Sequence, residues 1–286
     1  LLSLHKIFKK IFKFQKKNKI LSLGIFLFIL LILITFILPL FLFPSDKNIQ
    51  SFKSFLKPSK KHLMGTDSLG HDIFEYIIKG TKLSFYISFC TILISSFIGF
   101  LLGILSGYFS GFWNTLANLI CDLIMIFPDF ILAFLIMLLY KKGVYQLIII
   151  LSICYLPTFI KQTKSATTQI LQQDFIKSVI CLGGSNFYII FKHIIPHVFD
   201  SLIIRISLSL SSIILLSASF GFIGLGLDPS VPEWGSLLNT NKSFINIYPE
   251  LILYPMIIIL ITNLSFNLIS EGLVYYLNPK QKEIKD

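Results

Sequence analysis

Residues 20–43 read ILSLGIFLFILLILITFILPLFLF, a stretch without a single charge. As a helix rising about 1.5 Å per residue, such a run outreaches the roughly 30 Å hydrocarbon core of a bilayer, which takes about 20 helical residues to cross. In hydrocarbon, only helices and closed barrels satisfy their own backbone polar groups. Apolar residues here are continuous rather than alternating, so a helix is the element this run dictates. Composition extends that reading to the whole chain. Of its 286 residues 55% are apolar and only 14% charged, against about 45–50% and about 25% in an ordinary soluble domain.

Five further apolar runs, 83–107, 115–140, 144–160, 198–226 and 250–274, bring the expected crossings to six. The fourth is the shortest and is expected to end at Leu156-Pro157. Ahead of the first run lies a basic stretch, His5–Lys19. That outline resembles a signal peptide, but the run exceeds a signal h-region of about 7–15 residues and no small-residue cleavage site follows it. It reads as a retained first span.

Net charge is +11, which raises the question of nucleic acid. The lysines crowd between and beside the apolar runs, where they meet headgroups or cytosol, and basic flanks are what orient spans. The partner they imply is membrane lipid, and no nucleic acid is expected. Lysines at 6, 9, 10, 13, 16, 17 and 19 place the N-terminus in the cytoplasm, and six crossings return the C-terminus there. Lysines within 44–82 and the Lys141-Lys142 pair run against this orientation. The resulting organisation is a basic cytoplasmic segment 1–19, a first transmembrane helix 20–43 and an external segment 44–82. A transmembrane core 83–274 follows, including a cytoplasmic elbow 161–197, and then a cytoplasmic segment 275–286.

Catalytic constellations are missing from the sequence. There is no GxxxxGK[ST], HExxH or GxSxG, and Cys90, Cys121, Cys154 and Cys181 are scattered without metal-site spacing. His193 and His197 are four apart but straddle Pro196, which is expected to break the helix that a shared metal would need. No metal, cofactor or catalytic residue is expected. Ionisable residues inside spans are functional suspects. Asp122 and Asp129, seven apart, are expected on one face of the third helix, with Pro128 kinking it between them. They open an alternative, a self-contained secondary transporter or channel built on these two carboxylates. Arg205 lies near enough to a span end to snorkel to the interface.

Three polar segments are long enough to carry function. The segment 44–82 ends in HLMGTDSLGHD, residues 62–72, whose glycines and Asp/Ser/Thr residues predict a tight turn before the second span. In 227–249, prolines at 229 and 232 exclude a regular helix between them, and Trp234 suits a membrane interface. Within 161–197, Asp174 is placed to cap a short helix, Phe175–Leu182. Gly183-Gly184 supplies a left-handed turn, Ser185 caps a second helix, and Pro196 stops it. An elbow results, carrying Lys177 and Lys192.

These motifs together resemble the C-type permease of binding-protein-dependent ABC importers for dipeptides, oligopeptides and nickel. The family's H-P-L-G-T-D-x-L-G-R-D resembles 62–72, with Gly65, Thr66, Asp67, Gly70 and Asp72 matching. Its F-L-G-L-G-x-x-P-P-x-P-x-W-G is similar to 222–235, matching Gly224, Gly226, Pro229, Pro232, Trp234 and Gly235. Its E-A-A-x-x-x-G and the downstream R-H-I-L-P resemble Lys177-Ser178-Val179 with Gly183, then Lys192-His193-Ile194-Ile195-Pro196. The family's glutamate is Lys177 here. The resemblance implies an all-α membrane protein with about six transmembrane helices, the type I ABC-importer permease fold, in a bacterial inner membrane. It implies a second homologous permease, two cytoplasmic ATPase subunits and an external substrate-binding protein as partners. ATP hydrolysis would sit in the ATPases. Asp174, Phe175, Lys177, Ser178, Val179, Gly183, Gly184, His193 and Pro196 would form the coupling elbow.

Overall fold

A computed structural model describes residues 18–38, 53–139, 142–228 and 231–277. Calls on the lysines before residue 18, the stretch 39–52, Lys141, Pro229 and the C-terminal lysines lie outside these residues. Among the described residues the chain is helical. Helix α1 spans Lys19–Ile32 and continues as one wide turn over Leu33–Ile37. Helix α2 is Ile73–Tyr108, α3 Phe112–Met125, α4 Asp129–Leu139 and α5 Val144–Leu171. Helix α6 is Asp174–Cys181; α7 is Asn186–Ile189, joined by a wide turn at Ile190–Ile194 to α8, Ile195–Ile223. Helix α9, Trp234–Asn241, and α10, Glu250–Leu277, complete the order. Five helical stretches are long and apolar enough to cross a membrane, and α3 with α4 make a sixth if that bent pair is one span. This is the all-helical, about-six-span architecture expected from the sequence.

Three proline positions depart from expectation. The run 115–140 is two helices, α3 and α4, bent by 80° at the break. Pro128 lacks an N–H and pushes Phe127 away from helical angles, and the chain restarts with Leu132 N bonding to Pro128 O at 3.0 Å. Asp129 therefore opens a new helix, and Asp122 and Asp129 do not share a face. At Pro157 the reverse happens. Helix α5 runs through it to Leu171 instead of ending at Leu156-Pro157, because a single missing bond is tolerable once the flanking turns are packed. Pro196 likewise does not stop its helix. The wide turn before it, closed by Ile195 N on Ile190 O, accommodates the proline, and α8 proceeds to Ile223.

Two compact units divide the chain, and α2, α5 and α8 each contribute residues to both. One holds the described residues up to Ser88, those of Tyr140–Leu147 and those from Ser211 onward. There α1 lies along α10: Ser265 Oγ donates to Gly24 O at 3.0 Å, and a Cβ on Gly24 would sit 2.8 Å from Ile269 N. Ile73, Tyr76, Ile77, Leu237 and Leu251 form its buried cluster, with Phe55 stacked on Tyr248 beside it at 4.7 Å.

The other unit comprises Phe89–Leu139 and Ile148–Leu210. Its α2 and α5 approach closely along Gly99, Gly103 and Gly107, one glycine every four residues. Cβ atoms there would lie 2.4 Å from Phe159 Cβ, 2.5 Å from Thr163 Cβ and 2.8 Å from Thr167 Cβ respectively. Without a hydrophobic drive between helices in lipid, such small-residue contact supplies the packing. Gly103→Val is expected to cost about 1–3 kcal/mol by overpacking, read as a lower thermal midpoint in detergent. Gly143→Ala is the control and should change little, since its Cβ meets only the flexible end of Gln146.

Candidate functional site

The elbow lies in the second unit. Gln173, extended at φ −72° and ψ 142°, occupies the cap position of α6, and no side chain caps it. This corrects the expectation that Asp174 is the cap. Asp174 is the first helical residue, and its carboxylate accepts from Lys177 Nζ at 3.0 Å while its carbonyl accepts from Ser178 Oγ at 2.9 Å. Both partners of the ion pair are exposed, so it steadies the turn by little. The helix ends as its glycines predict. Gly183 takes φ +80°, and Gly184 N closes on Val179 O at 3.0 Å. A Cβ at Gly183 would meet nothing within 4 Å. Its backbone angle, not space, therefore requires glycine. Ser185 Oγ then accepts from Tyr188 N at 3.3 Å, capping α7.

Two faces separate along the elbow. Ile176, Ile189, Ile194 and Val198 are buried with Ile104 of α2, and Val179 packs against them. On the other side Phe175, Ile180 and Phe187 are exposed, and Leu182 reaches 87% exposure at the bend. Exposed apolar side chains grouped in this way mark a contact with another protein or with the membrane. His193 and His197 sit one turn apart on the unbroken helix, with His197 Nδ1 against His193 O at 2.6 Å. Phe175 lies over both rings, 6.1 Å and 5.5 Å between centroids. No group of three His, Cys, Asp or Glu able to hold a metal occurs among the described residues.

Elsewhere in this unit, Asp122 is exposed near the end of α3, and Asp129 is exposed in the first turn of α4. The secondary-transporter alternative loses its premise, two carboxylates on one helix face. Arg205 is half-buried in α8, its Nε enclosed without a hydrogen-bond partner among the described residues.

Both remaining motifs lie in the first unit. In 62–72, Asp67 is buried and accepts from Leu69 N at 2.9 Å and His71 N at 2.7 Å, with His71 Nδ1 at 3.2 Å. Asp72 Oδ1 takes Glu75 N at 3.1 Å, capping the start of α2, while Oδ2 meets His62 Nδ1 at 2.8 Å. Thr66 Oγ1 donates to Lys53 O at 2.7 Å and accepts from Leu56 N at 2.8 Å. Gly65 and Gly70 have φ of +78° and +80°. The motif is thus a knot of turns that seats a helix end.

In 222–235, Gly224 takes φ +86°. A Cβ on Gly235 would lie 2.4 Å from Ala218 O, which fixes α9 against α8. Pro232 is half-buried, and a Cβ on Gly226 would meet Glu233 Oε2 at 3.2 Å. Trp234 does not present its ring at the surface. It is buried, its Nε1 donating to Ile77 O at 3.4 Å, with Gly80 making room for its ring. Glu233, missed from sequence, is also buried. Its Oε1 accepts from Ser217 Oγ at 2.9 Å. A carboxylate wedged between Pro232 and Trp234-Gly235 was the available signal.

Comparisons with known proteins agree with this architecture. The family described as binding-protein-dependent transport system inner membrane component matches residues 99–283. The dipeptide transport system permease protein DppC of Alkalihalophilus pseudofirmus is 32% identical over 96% of this chain and 90% of its own length. The glutathione transport system permease protein GsiD of Pectobacterium atrosepticum is 31% identical over 79% of this chain and 75% of its own. Among solved structures, an inward-facing form of the MetNI methionine ABC transporter superposes at a TM-score of 0.60 and 14% identity, over 72% of this chain and 98% of its own. That likeness is one of fold.

Burial raises the Glu233 carboxyl from its ordinary 4.5 to about 7, opposed by the Ser217 hydroxyl and the Leu227 backbone. The folded state therefore holds a proton that the unfolded chain releases between those values. Stability from this group is fully present below about pH 4.5 and is lost as pH rises through about 7. Thermal midpoints in detergent should fall from pH 5 to pH 8, and Glu233→Gln should remove the part of that fall due to this residue. An unchanged pH profile in the variant would count against it.

Proposed function

The chain belongs to the family of binding-protein-dependent transport system inner membrane components, and we propose from that footing that its elbow is where ATP-driven work enters the transport path. It is a permease component of an ABC importer in the bacterial inner membrane. Its solute is a peptide or a peptide-like compound such as glutathione, the classes for which its relatives are named. A second, similar permease completes the path, two cytoplasmic ATPase subunits dock beneath, and an external binding protein delivers the solute. Hydrolysis belongs to the ATPases, and this chain conducts. The orientation consistent with these roles has both ends and the elbow in the cytoplasm.

The observation that carries this reading is the elbow's division into a buried and an exposed apolar face. Ile176 and Ile189 anchor it in its own unit, and Phe175, Ile180 and Leu182 remain for a groove on an ATPase. ATP can shift the permease between states only by its differential affinity for them. Moving a gate from 1:99 to 99:1 takes about 5.5 kcal/mol of such difference. An elbow locked at both ends transmits that difference as rigid-body motion. A loose loop would dissipate it.

Ser178 is exposed on α6, so Ser178→Cys should crosslink to an ATPase subunit in the assembled, active complex. Silence at 178 and at its exposed neighbours would refute the docking assignment. Gly183→Val forces a β-branched residue to φ +80°, a conformation such residues avoid. Uptake should fall steeply relative to ATP hydrolysis in that variant, measured together in proteoliposomes. Unchanged uptake would refute the role of the turn.

A further inference from the structure

Near the middle of α10, Asn263 and Asn267 break an otherwise apolar surface, and Ser211 of α8 meets Asn263. Asn263 Oδ1 accepts from Ser211 Oγ and, at 2.6 Å, from Asn267 Nδ2. Asn263 Nδ2 and Asn267 Oδ1 remain, a donor and an acceptor side by side with no partner among the described residues. Exchanging O and N in both carboxamides only reverses which is the donor. Both asparagines line a groove of about 540 Å³ walled by Leu215, Met256 and Leu260. A second groove of about 450 Å³ shares Leu215 and Met256 with it and extends to Lys242. Each volume falls in the range of roughly 300–1,000 Å³ typical of ligand sites, mostly apolar with a few placed polar groups.

At this depth in α10, an open donor and acceptor facing lipid would be costly. Something polar must cover them. A helix of a neighbouring subunit has its backbone C=O and N–H groups occupied by its own ladder and answers only where it carries a polar side chain in register. An extended peptide presents them free. We propose that the groove between α8 and α10 is a peptide-binding stretch of the translocation path. In it Asn263 and Asn267 hold a backbone amide of the solute.

This rests on the importer reading above, and the experiment separates the two. The complete transporter, with its partner subunits and binding protein, is reconstituted in proteoliposomes with Cys90, Cys121, Cys154 and Cys181 replaced by alanine. Uptake of glycyl-leucine and of glutathione is measured, together with labelling of Asn267→Cys by a charged, water-soluble methanethiosulfonate. Asn263→Leu and Asn267→Leu should each lower uptake about tenfold, the scale of a lost hydrogen bond of about 1.4 kcal/mol. Asn267→Gln, which keeps donor and acceptor, should restore most of it. Asn267→Cys should be labelled, and labelling should slow while peptide is being transported. No labelling in a complex that transports normally overturns the inference, placing this face against lipid or the second permease. Labelling with undiminished uptake in both leucine variants overturns it too. A complex that hydrolyses ATP with its binding protein yet imports neither solute refutes the substrate class proposed above. In that case, labelling of Asn267→Cys still decides whether the groove is a water-filled path.

Discussion

In hydrocarbon an unpaired backbone N–H or C=O costs several kcal/mol, and that constraint governs how this chain uses proline. Each proline in an apolar run removes one donor, and among the described residues the fold answers in three ways. At Pro128 the helix is surrendered and restarted at a steep angle. At Pro157 and Pro255 the helix simply continues. Before Pro196 a wide turn redistributes the bonds, and the His197 ring comes to rest on the carbonyl of His193. Most buried hydroxyls obey the same constraint, although those of Thr91, Thr163 and Thr167 have no partner among the described residues. Thr81, Ser88, Ser95, Ser152 and Thr262 each donate to the carbonyl four residues back, within their own helices. Much of the span polarity is thereby silenced locally, while the carboxamides of Asn263 and Asn267 keep an open donor and acceptor at the surface.

Close helix contact is the second consequence. Lipid tails are as apolar as leucine, so packing must come from surfaces that fit. Here glycine sets them: Gly99, Gly103 and Gly107 seat α5, Gly24 and Gly272 join α1 to α10, and Gly221 and Gly235 join α8 to α9. The motif 222–235 is best understood in these terms. Its glycines permit backbone approach, its tryptophan fills the space beside Gly80, and Pro232 leads the chain into α9.

What the sequence reveals follows the range of the forces involved. Spans were legible because hydropathy is a sum over many neighbours. The elbow was legible because Gly183 and Ser185 act within four residues of themselves. The fate of a proline was not, since a break, a continuation and a wide turn differ by what packs around the helix. The cap at Gln173 was also missed, because the sequence pattern does not say which of two adjacent residues takes the extended angles. Burial of Trp234 and Glu233 depends on Ile77, Gly80 and Ser217, residues 16 or more positions away. No local pattern reports that.

Lys177 illustrates how a site can depart from its family pattern and keep its shape. The elbow's geometry rests on the Gly183 turn, the Ser185 cap and the anchoring of Ile176 and Ile189, none of which involves position 177. A glutamate there would lie one turn from Asp174 and repel it. The lysine instead reaches back to that aspartate, which leaves the exposed face less acidic. The charge change therefore alters what a docking surface must present opposite α6, while the angle at which α6 is presented stays fixed by backbone and core. Shape and charge at this elbow are set by different residues, and only the charge has changed.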